Sequence, residues 1–233
     1  MTGTTAVQQQ ADRGIVGNRW VLVGGIVYLL EWVAIIGTSV AGLGSVVTRG
    51  VAADEVVEAY SGHADAASTM AGWFAVVLLG RVLVFLGLRK AMADSGRSHV
   101  LLDLAVVSAA VSVTLEIASY GLAAAAADSA AAGDRAATVV LDTAGTGLNL
   151  MIGGGLGVAI VAATYVMTRS GLFPTWLNAL GWLSGVAIVG AQLAVAPSLE
   201  TVFAVLYFFP LVFWVWMLWA GVLLWRRTPR PST

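Results

Sequence analysis

Residues 99–125 read HVLLDLAVVSAAVSVTLEIASYGLAAA, and this stretch decides the fold class of the chain. It is apolar over more than the ~20 residues that a helix needs to cross the ~30 Å hydrocarbon core of a bilayer. Two carboxyl groups interrupt it, Asp103 near its start and Glu116 deep inside. The stretch therefore predicts a transmembrane helix, and its buried acid is a candidate functional group because charges at membrane depth are expensive.

The same pattern recurs along the chain. Six apolar stretches are long enough to span a membrane: residues 20–47, 69–88, 99–125, 137–167, 176–195 and 201–225. We therefore predict an all-α, polytopic transmembrane helix bundle of about six spans over residues 20–225. Residues 1–19 are expected to form a flexible cytoplasmic tail, because their late charges and the long apolar run that follows do not fit a signal peptide. Residues 226–233 are expected to form a basic cytoplasmic tail.

The composition excludes several classes of protein. Hydrophobic residues make up 59% of the chain and charged residues 11%, with a mean hydropathy of +0.88. A soluble domain has about 45–50% apolar and about 25% charged residues, so a soluble or disordered chain is excluded. The net charge of −1 leaves no basic surface for nucleic acid. Because the chain has no cysteine, disulfides, thiolate metal sites and cysteine nucleophiles are excluded as well.

The basic residues predict the orientation in the membrane. If the N-terminus is cytoplasmic, the cytoplasmic side carries nine of them: Arg13, Arg19, Arg89, Lys90, Arg97, Arg169, Arg226, Arg227 and Arg230. The opposite side carries only Arg49 and Arg135. The positive-inside rule then predicts an integral membrane protein with both termini in the cytoplasm.

The connection at residues 48–68 contains ADEVVEAY (53–60), an acidic stretch that is compatible with a helix. We favour a solvated connecting helix, and a cap over a pocket is the alternative. Two glycine pairs with GxxxG spacing, Gly153 with Gly157 and Gly181 with Gly185, predict close helix packing.

Five ionisable residues lie inside the predicted spans: Glu31, Arg81, Asp103, Glu116 and Asp142. At ~1.5 Å per residue, Glu31 lies near the midplane, and Arg81 lies within reach of Glu31 or of Asp103. We expect Arg81 to pair with one or both of these acids. Such a pair is either part of a functional site or a structural pair that fixes helix register.

Glu116 and Asp142 are predicted to lie at similar depth in the outer half of the membrane, with no basic residue of the spans placed to neutralise them. Two carboxyls that meet in a low-dielectric site cannot both ionise comfortably, so one is expected to hold a proton at neutral pH. It could then serve as a general acid. The alternative is that Asp142 only caps the start of its helix.

Span six reads TVFAVLYFFPLVFWVWMLWAGVLLW (201–225) and is rich in aromatic residues. One helical face presents Phe203, Tyr207, Pro210 and Trp214. Pro210 is expected to kink the helix. The aromatic side chains either face lipid and core, or they line a pocket that attracts a cation.

Three stretches carry a family resemblance: YLLEW (28–32), LDTAGTGLNL (141–150) and YVMTRSGLFPTWLNALGWLSGV (165–186). They resemble a large bacterial family of six-helix membrane proteins of unknown function. In size, helix number and isolated membrane acids the chain is also loosely similar to the small integral-membrane terpene cyclases. That resemblance implies a carboxylic acid within the helices that starts cyclisation by protonating an alkene or epoxide.

The leading hypothesis is a membrane enzyme on a lipophilic, prenylated substrate, a protonation-initiated terpene or meroterpenoid cyclase that requires no metal or cofactor. The candidate general acids are Glu116 with Asp142, or Glu31. The candidate substrate-binding residues are Tyr28, Trp32, Arg81, Tyr120, Asn149, Gln192, Tyr207 and Trp214. Two alternatives stay open: a proton-coupled small-molecule transporter or exporter that uses the same acids as carriers, and a non-catalytic membrane component that binds a partner or lipid.

Overall fold

The structure of the chain, a computed structural model, describes residues 15–40, 51–206 and 208–228. These residues form helices and no strand. In chain order the helices are α1 (Trp20–Leu29), α2 (Glu31–Val40), α3 (Ala53–Tyr60), α4 (Ala64–Val77), α5 (Leu79–Asp94), α6 (Val100–Ala131), α7 (Arg135–Ser170), α8 (Thr175–Leu193), the 3₁₀ turn Pro197–Leu199, α9 (Glu200–Leu206) and α10 (Pro210–Arg226).

Six helical stretches are long and apolar enough to cross a membrane. In order they are span 1 (Trp20–Gly37), span 2 (Ala64–Asp94), span 3 (Val100–Ala131), span 4 (Arg135–Ser170), span 5 (Thr175–Leu193) and span 6 (Pro197–Arg226). This confirms the predicted all-α bundle of six spans, and the chain is an integral membrane protein.

Several helices extend beyond the apolar stretches that predicted them. Span 2 has 31 residues, which at ~1.5 Å per residue is roughly 46 Å, well over the ~30 Å core. Polar caps set the ends of the neighbouring spans. The side chain of His99 accepts a hydrogen bond from the Leu101 amide, and that of Asp134 accepts one from the Ala137 amide. The charged ends of the helices therefore lie outside the hydrocarbon or at its boundary.

Glycines allow the closest helix contacts in the bundle. A Cβ added to Gly24 of α1 would lie 2.7 Å from the carbonyl oxygen of Gly80 in α5, closer than van der Waals contact permits. This approach places Tyr28 of α1 beside Arg81 of α5. Between α7 and α8, a Cβ on Gly157 would likewise collide with Val189. The packing role predicted for the glycine pair that contains Gly157 is confirmed.

Three spans are interrupted along their length. Span 1 breaks at Leu30, where the Leu30 amide bonds to the Val27 carbonyl in the i→i+3 manner. The Leu30 carbonyl accepts two hydrogen bonds, from the Val33 amide at 3.1 Å and from the indole nitrogen of Trp73 at 2.8 Å. Span 2 breaks at Leu78, whose carbonyl accepts from the Arg81 amide. Short 3₁₀ segments within helices often mark hinges, and these two flank the buried charges described below.

Pro210 is the first residue of α10 and follows a turn at residues 208–209, so it starts a helix and does not lie inside a kinked one. The aromatic side chains that follow fill the core of the bundle. Phe213 and Trp216 are fully buried and lie with Phe85 at ring-centroid distances of 6.0–6.4 Å. In this described part of span 6 the rings pack against one another, and they do not wall an open cavity.

Candidate functional site

A buried arginine holds spans 1, 2 and 3 together. Arg81 is 1% exposed, and each terminal nitrogen of its guanidinium has a polar partner. Nη1 donates to the Ser112 hydroxyl at 2.9 Å, and Nη2 donates to the Tyr28 hydroxyl at 2.8 Å. Nη2 also lies 2.6 Å from Oε2 of Glu116, which forms a buried salt bridge. The Tyr28 ring lies 4.5 Å from the guanidinium carbon, a cation–π distance.

A second carboxyl faces the same cation. Glu31 is 5% exposed, and it interacts with the Tyr28 hydroxyl and with the charges of Arg81 and Glu116. We call Tyr28, Glu31, Arg81, Ser112 and Glu116 the ion cluster. It contains one guanidinium and two carboxyls, so it carries a net negative charge when both acids are ionised. Because isolated charge is unfavourable inside a membrane, both carboxyls depend on the same guanidinium for a counter-charge.

The predicted partners of Arg81 were partly wrong. Asp103 pairs with Arg89 near the end of the bundle, and Glu116, which was expected to lack a basic neighbour, is the salt-bridge partner of Arg81. The apolar stretch that predicted span 2 ends at Leu88, but α5 continues to Asp94. Arg81 therefore lies deeper in the bundle than the sequence indicated. Arg81 lies thirteen residues before the end of α5 and Glu116 sixteen residues after the start of α6. In an antiparallel pair of helices, such positions meet.

The second polar site lies around Asp142 on α7. Its Oδ1 accepts a hydrogen bond from the Tyr60 hydroxyl of α3 at 2.9 Å. The pocket beside it measures about 230 Å³, including the part open to solvent, and we call it the Asp142 pocket. It is lined by Tyr60, Ser119, Tyr120, Ala123, Asp142, Gly145, Thr146 and Asn149.

The hydroxyls of the Asp142 pocket differ in how they are satisfied. Burial, and then the nearby Asp142 carboxyl, raise the pKa of Tyr60 above its ordinary value, so its phenol remains the hydrogen-bond donor. The amide nitrogen of Asn149 lies 3.4 Å from the Ser119 hydroxyl. The Thr146 hydroxyl is buried and has no hydrogen-bond partner in the structure. The pocket therefore offers polar groups that the protein does not use fully.

Two interpretations of Asp142 are corrected by this geometry. The structure gives Asp142 and Glu116 different partners and does not make them a carboxyl pair. Asp142 is not a helix cap either, because α7 begins at Arg135 and Asp134 caps it. Asp142 lies seven residues after the start of α7, beyond its first turn.

The segment ADEVVEAY forms α3, as expected from the sequence. Its residues Val56 and Tyr60 are buried, and Tyr60 lines the Asp142 pocket. At its other end Asp54 forms a salt bridge with Arg135 of α7. The structure thus favours the alternative of a cap over a pocket, because one face of the helix covers the polar site.

Polar side chains extend from the Asp142 pocket toward the ion cluster and end one helical turn from it, at the backbone carbonyl of Glu116. Thr146 and Asn149 follow Asp142 at intervals of about one helical turn on α7, and Asn149 reaches Ser119 on α6. The Ser119 hydroxyl donates to the carbonyl of Glu116 one turn away, at 2.8 Å.

Beyond Arg81, toward the other end of the bundle, α5 buries apolar side chains. Val84, Phe85 and Leu88 are each 1% exposed. The described polar series thus runs from the Asp142 pocket to the middle of the bundle.

The remaining predicted residues lie in different parts of the bundle. Tyr120 lines the Asp142 pocket and stacks on Phe74 at 3.9 Å. Trp32 and Trp214 pack edge to face at 5.1 Å, beside the Glu31 end of the ion cluster. Gln192 accepts from the Gly154 amide at 2.9 Å and joins α8 to α7. Tyr207 lies outside the described residues.

Sequence reasoning missed Tyr60, Ser112 and Thr146. Ser112 precedes Glu116 by four residues and Thr146 follows Asp142 by four, so helical spacing alone indicates that each shares a face with its acid. No comparable signal connects Tyr60 to Asp142, because 82 residues separate them. That contact depends on how α3 folds back over the bundle.

Comparison with known proteins adds no relative: no family model, no curated protein and no solved structure matches the chain. The geometry of the two polar sites therefore carries the functional interpretation.

Proposed function

We propose that this protein is a proton-coupled transporter or exporter of a small molecule. The supporting observation is the polar series from the Asp142 pocket toward an ion cluster in which one arginine faces two carboxyls. An intramembrane acid that shares its cation with a second acid can take up and release a proton without leaving an uncompensated buried arginine. We further propose the orientation that the basic residues indicate, with both termini in the cytoplasm of a bacterial cell.

The breaks in spans 1 and 2 are positions at which these helices can bend during transport. Protonation of Glu116 weakens its salt bridge with Arg81, and the guanidinium then turns toward Glu31. Glu31 lies next to the 3₁₀ break at Leu30, and Arg81 lies three residues after the one at Leu78. A shift there changes the packing of spans 1 and 2 against span 3, and the closed apolar end of the bundle opens. Transporters commonly use discontinuous helices near their midplane sites in this way.

A proteoliposome assay tests the proposal. A dye in the lumen reports pH while small organic cations, anions and neutral solutes are added one at a time. We expect one class to drive proton movement in the wild-type protein. Glu116→Gln should abolish the movement, and Asp103→Asn should retain it because that acid pairs with Arg89 away from the ion cluster. If none of the solutes drives proton movement, transport is contradicted. Equal movement in the two variants contradicts the role of Glu116.

The second candidate is the protonation-initiated isoprenoid cyclase, with Asp142 as general acid. It is favoured by one observation: the acid shares its pocket with the aromatic rings of Tyr60 and Tyr120, which can stabilise a carbocation. The enclosed part of the pocket has room for about one water-sized group, so α3 has to lift to admit a prenyl chain. Purified protein incubated with prenylated substrates should yield cyclic products, detected by mass spectrometry. Loss of product in Asp142→Asn but not in Asp128→Asn supports this candidate, and no product from the wild type contradicts it.

A further inference from the structure

The Asp142 pocket has the chemistry of a cation site. Of its eight lining residues, Asp142 is the only one that carries a formal charge. The nearest basic side chain on α7, Arg135, is held by Asp54 at the outer end of α3. A neutral or anionic ligand would leave the Asp142 carboxylate without a counter-charge in a partly buried site, whereas a cation supplies one.

The other groups in the pocket suit an organic cation. The rings of Tyr60 and Tyr120 border the site, and aromatic faces attract ammonium groups. Tyr60 occupies one position on Oδ1 of Asp142, and a carboxylate can accept several further hydrogen bonds. An ammonium group supplies N–H donors for these positions.

A buried hydroxyl gives independent evidence for a ligand. Thr146 is 9% exposed, lines the pocket, and its Oγ1 has no hydrogen-bond partner. A buried hydroxyl without a hydrogen-bond partner is unfavourable, so a ligand that bonds to it is favoured at this position. The Thr146 hydroxyl lies one turn from Asp142 on the same helix, so a ligand bound to the carboxylate is placed to bond with it as well.

We infer that the Asp142 pocket binds a small alkylammonium ion, held by the Asp142 carboxylate, the Thr146 hydroxyl and the rings of Tyr60 and Tyr120. The identification of this ion as the transported substrate rests on the proposed function. Its binding can be measured without any transport. The enclosed part of the pocket has room for about one water-sized group, so the ammonium group fits inside and the alkyl chain extends through the open side. Free amines and the ethanolamine headgroup of a lipid share this chemistry.

Calorimetric titration of the full-length protein tests the inference at one neutral pH. Ethanolamine is added to the protein in detergent, and ethylene glycol serves as the neutral analogue in which a hydroxyl replaces the ammonium group. We expect ethanolamine to bind and ethylene glycol not to bind. Asp142→Asn, which keeps the shape of the side chain, should weaken binding by roughly tenfold to a hundredfold, the effect of losing a charge-assisted hydrogen bond. Asp128→Asn, an exposed acid on α6, should bind like the wild type.

A second arm identifies the source of the ammonium group. In nanodiscs made with phosphatidylethanolamine, a headgroup ligand would occupy the pocket and weaken ethanolamine binding, whereas in nanodiscs of phosphatidylglycerol alone the binding should match that in detergent. Equal binding in both membranes identifies the free amine.

No binding by the wild-type protein, binding of ethylene glycol as tight as that of ethanolamine, or unchanged affinity in a folded Asp142→Asn variant overturns the inference. Binding without proton movement in liposomes leaves the cation site intact and refutes only transport.

Discussion

The arrangement of two carboxyls around one guanidinium predicts a non-additive pair of substitutions. In Glu31→Gln, Arg81 keeps its salt bridge with Glu116, and in Glu116→Gln it keeps Glu31 within electrostatic range. Each single substitution therefore removes one polar interaction and should lower the free energy of unfolding by about 1–2 kcal/mol. The double variant leaves Arg81 buried without a carboxylate.

The size of the stability loss in the double variant follows from the burial of Arg81. The side chain of Arg81 is 2% exposed, so water cannot replace the missing carboxylate. An uncompensated charge of this kind costs about 3–5 kcal/mol. The double variant should therefore lose up to about 5 kcal/mol, which is about 1–3 kcal/mol more than the sum of the two single losses.

The assay is reversible unfolding in mixed detergent micelles, followed by circular dichroism. Asp103→Asn is the matched control, because its pair with Arg89 has side chains 53–54% exposed and an exposed pair contributes about 0–1 kcal/mol. Adding Arg81→Met to the double variant should restore most of the stability, since an apolar side chain can replace a complete buried ion group. Additive losses within about 0.5 kcal/mol, or a control as damaging as Glu116→Gln, would refute the shared-cation arrangement.

Three other predictions concern the packing of the bundle and the cover of the pocket. Gly80→Ala should destabilise the protein by about 1–3 kcal/mol in the same assay, because its Cβ would lie 2.5 Å from the Tyr28 amide nitrogen, whereas Gly121→Ala, with nothing within 4 Å, should be neutral or stabilising. Tyr60→Phe should speed amide exchange in α3 about fivefold, as expected for loss of one hydrogen bond of about 1 kcal/mol to Asp142; unchanged exchange would mean that α3 docks without it. Because the pKa of Tyr60 is raised in the folded protein, the protonated phenol favours the docked state, and docking should weaken only as pH rises above about 10. A weakening below that pH, or one that persists in Tyr60→Phe, would show that another group is responsible.

The sequence predicted the number of spans and the helix at ADEVVEAY because length, apolar content and local helix compatibility are properties of each segment alone. It also identified Glu31, Arg81, Glu116 and Asp142, since ionisable residues inside apolar stretches are conspicuous. Their pairing was only partly predictable. The ends of α5 and α7 extend past the apolar stretches, and these extra turns change which residues face one another.

Sequence patterns did not predict the contacts between distant segments. The bond from Tyr60 to Asp142 depends on a helix outside the membrane folding back over the bundle. The aromatic residues of span 6 were recognised, but their tight packing with Phe85 follows from how span 6 meets span 2. Composition indicates that such rings are buried, and only the three-dimensional arrangement shows whether they enclose space.

The buried salt bridge also bears on how the chain enters the membrane. A lone arginine near the centre of a helix opposes insertion by roughly 2.5–3.5 kcal/mol, and an acid does so to a similar extent. Arg81 and Glu116 lie on consecutive helices joined by a short turn, so they meet as soon as the two helices are side by side. The hairpin of spans 2 and 3, with its charges already matched, is therefore the favourable unit of insertion during synthesis. A variant in which these two helices cannot meet is therefore expected to fail at membrane insertion, before the stability of the folded protein matters.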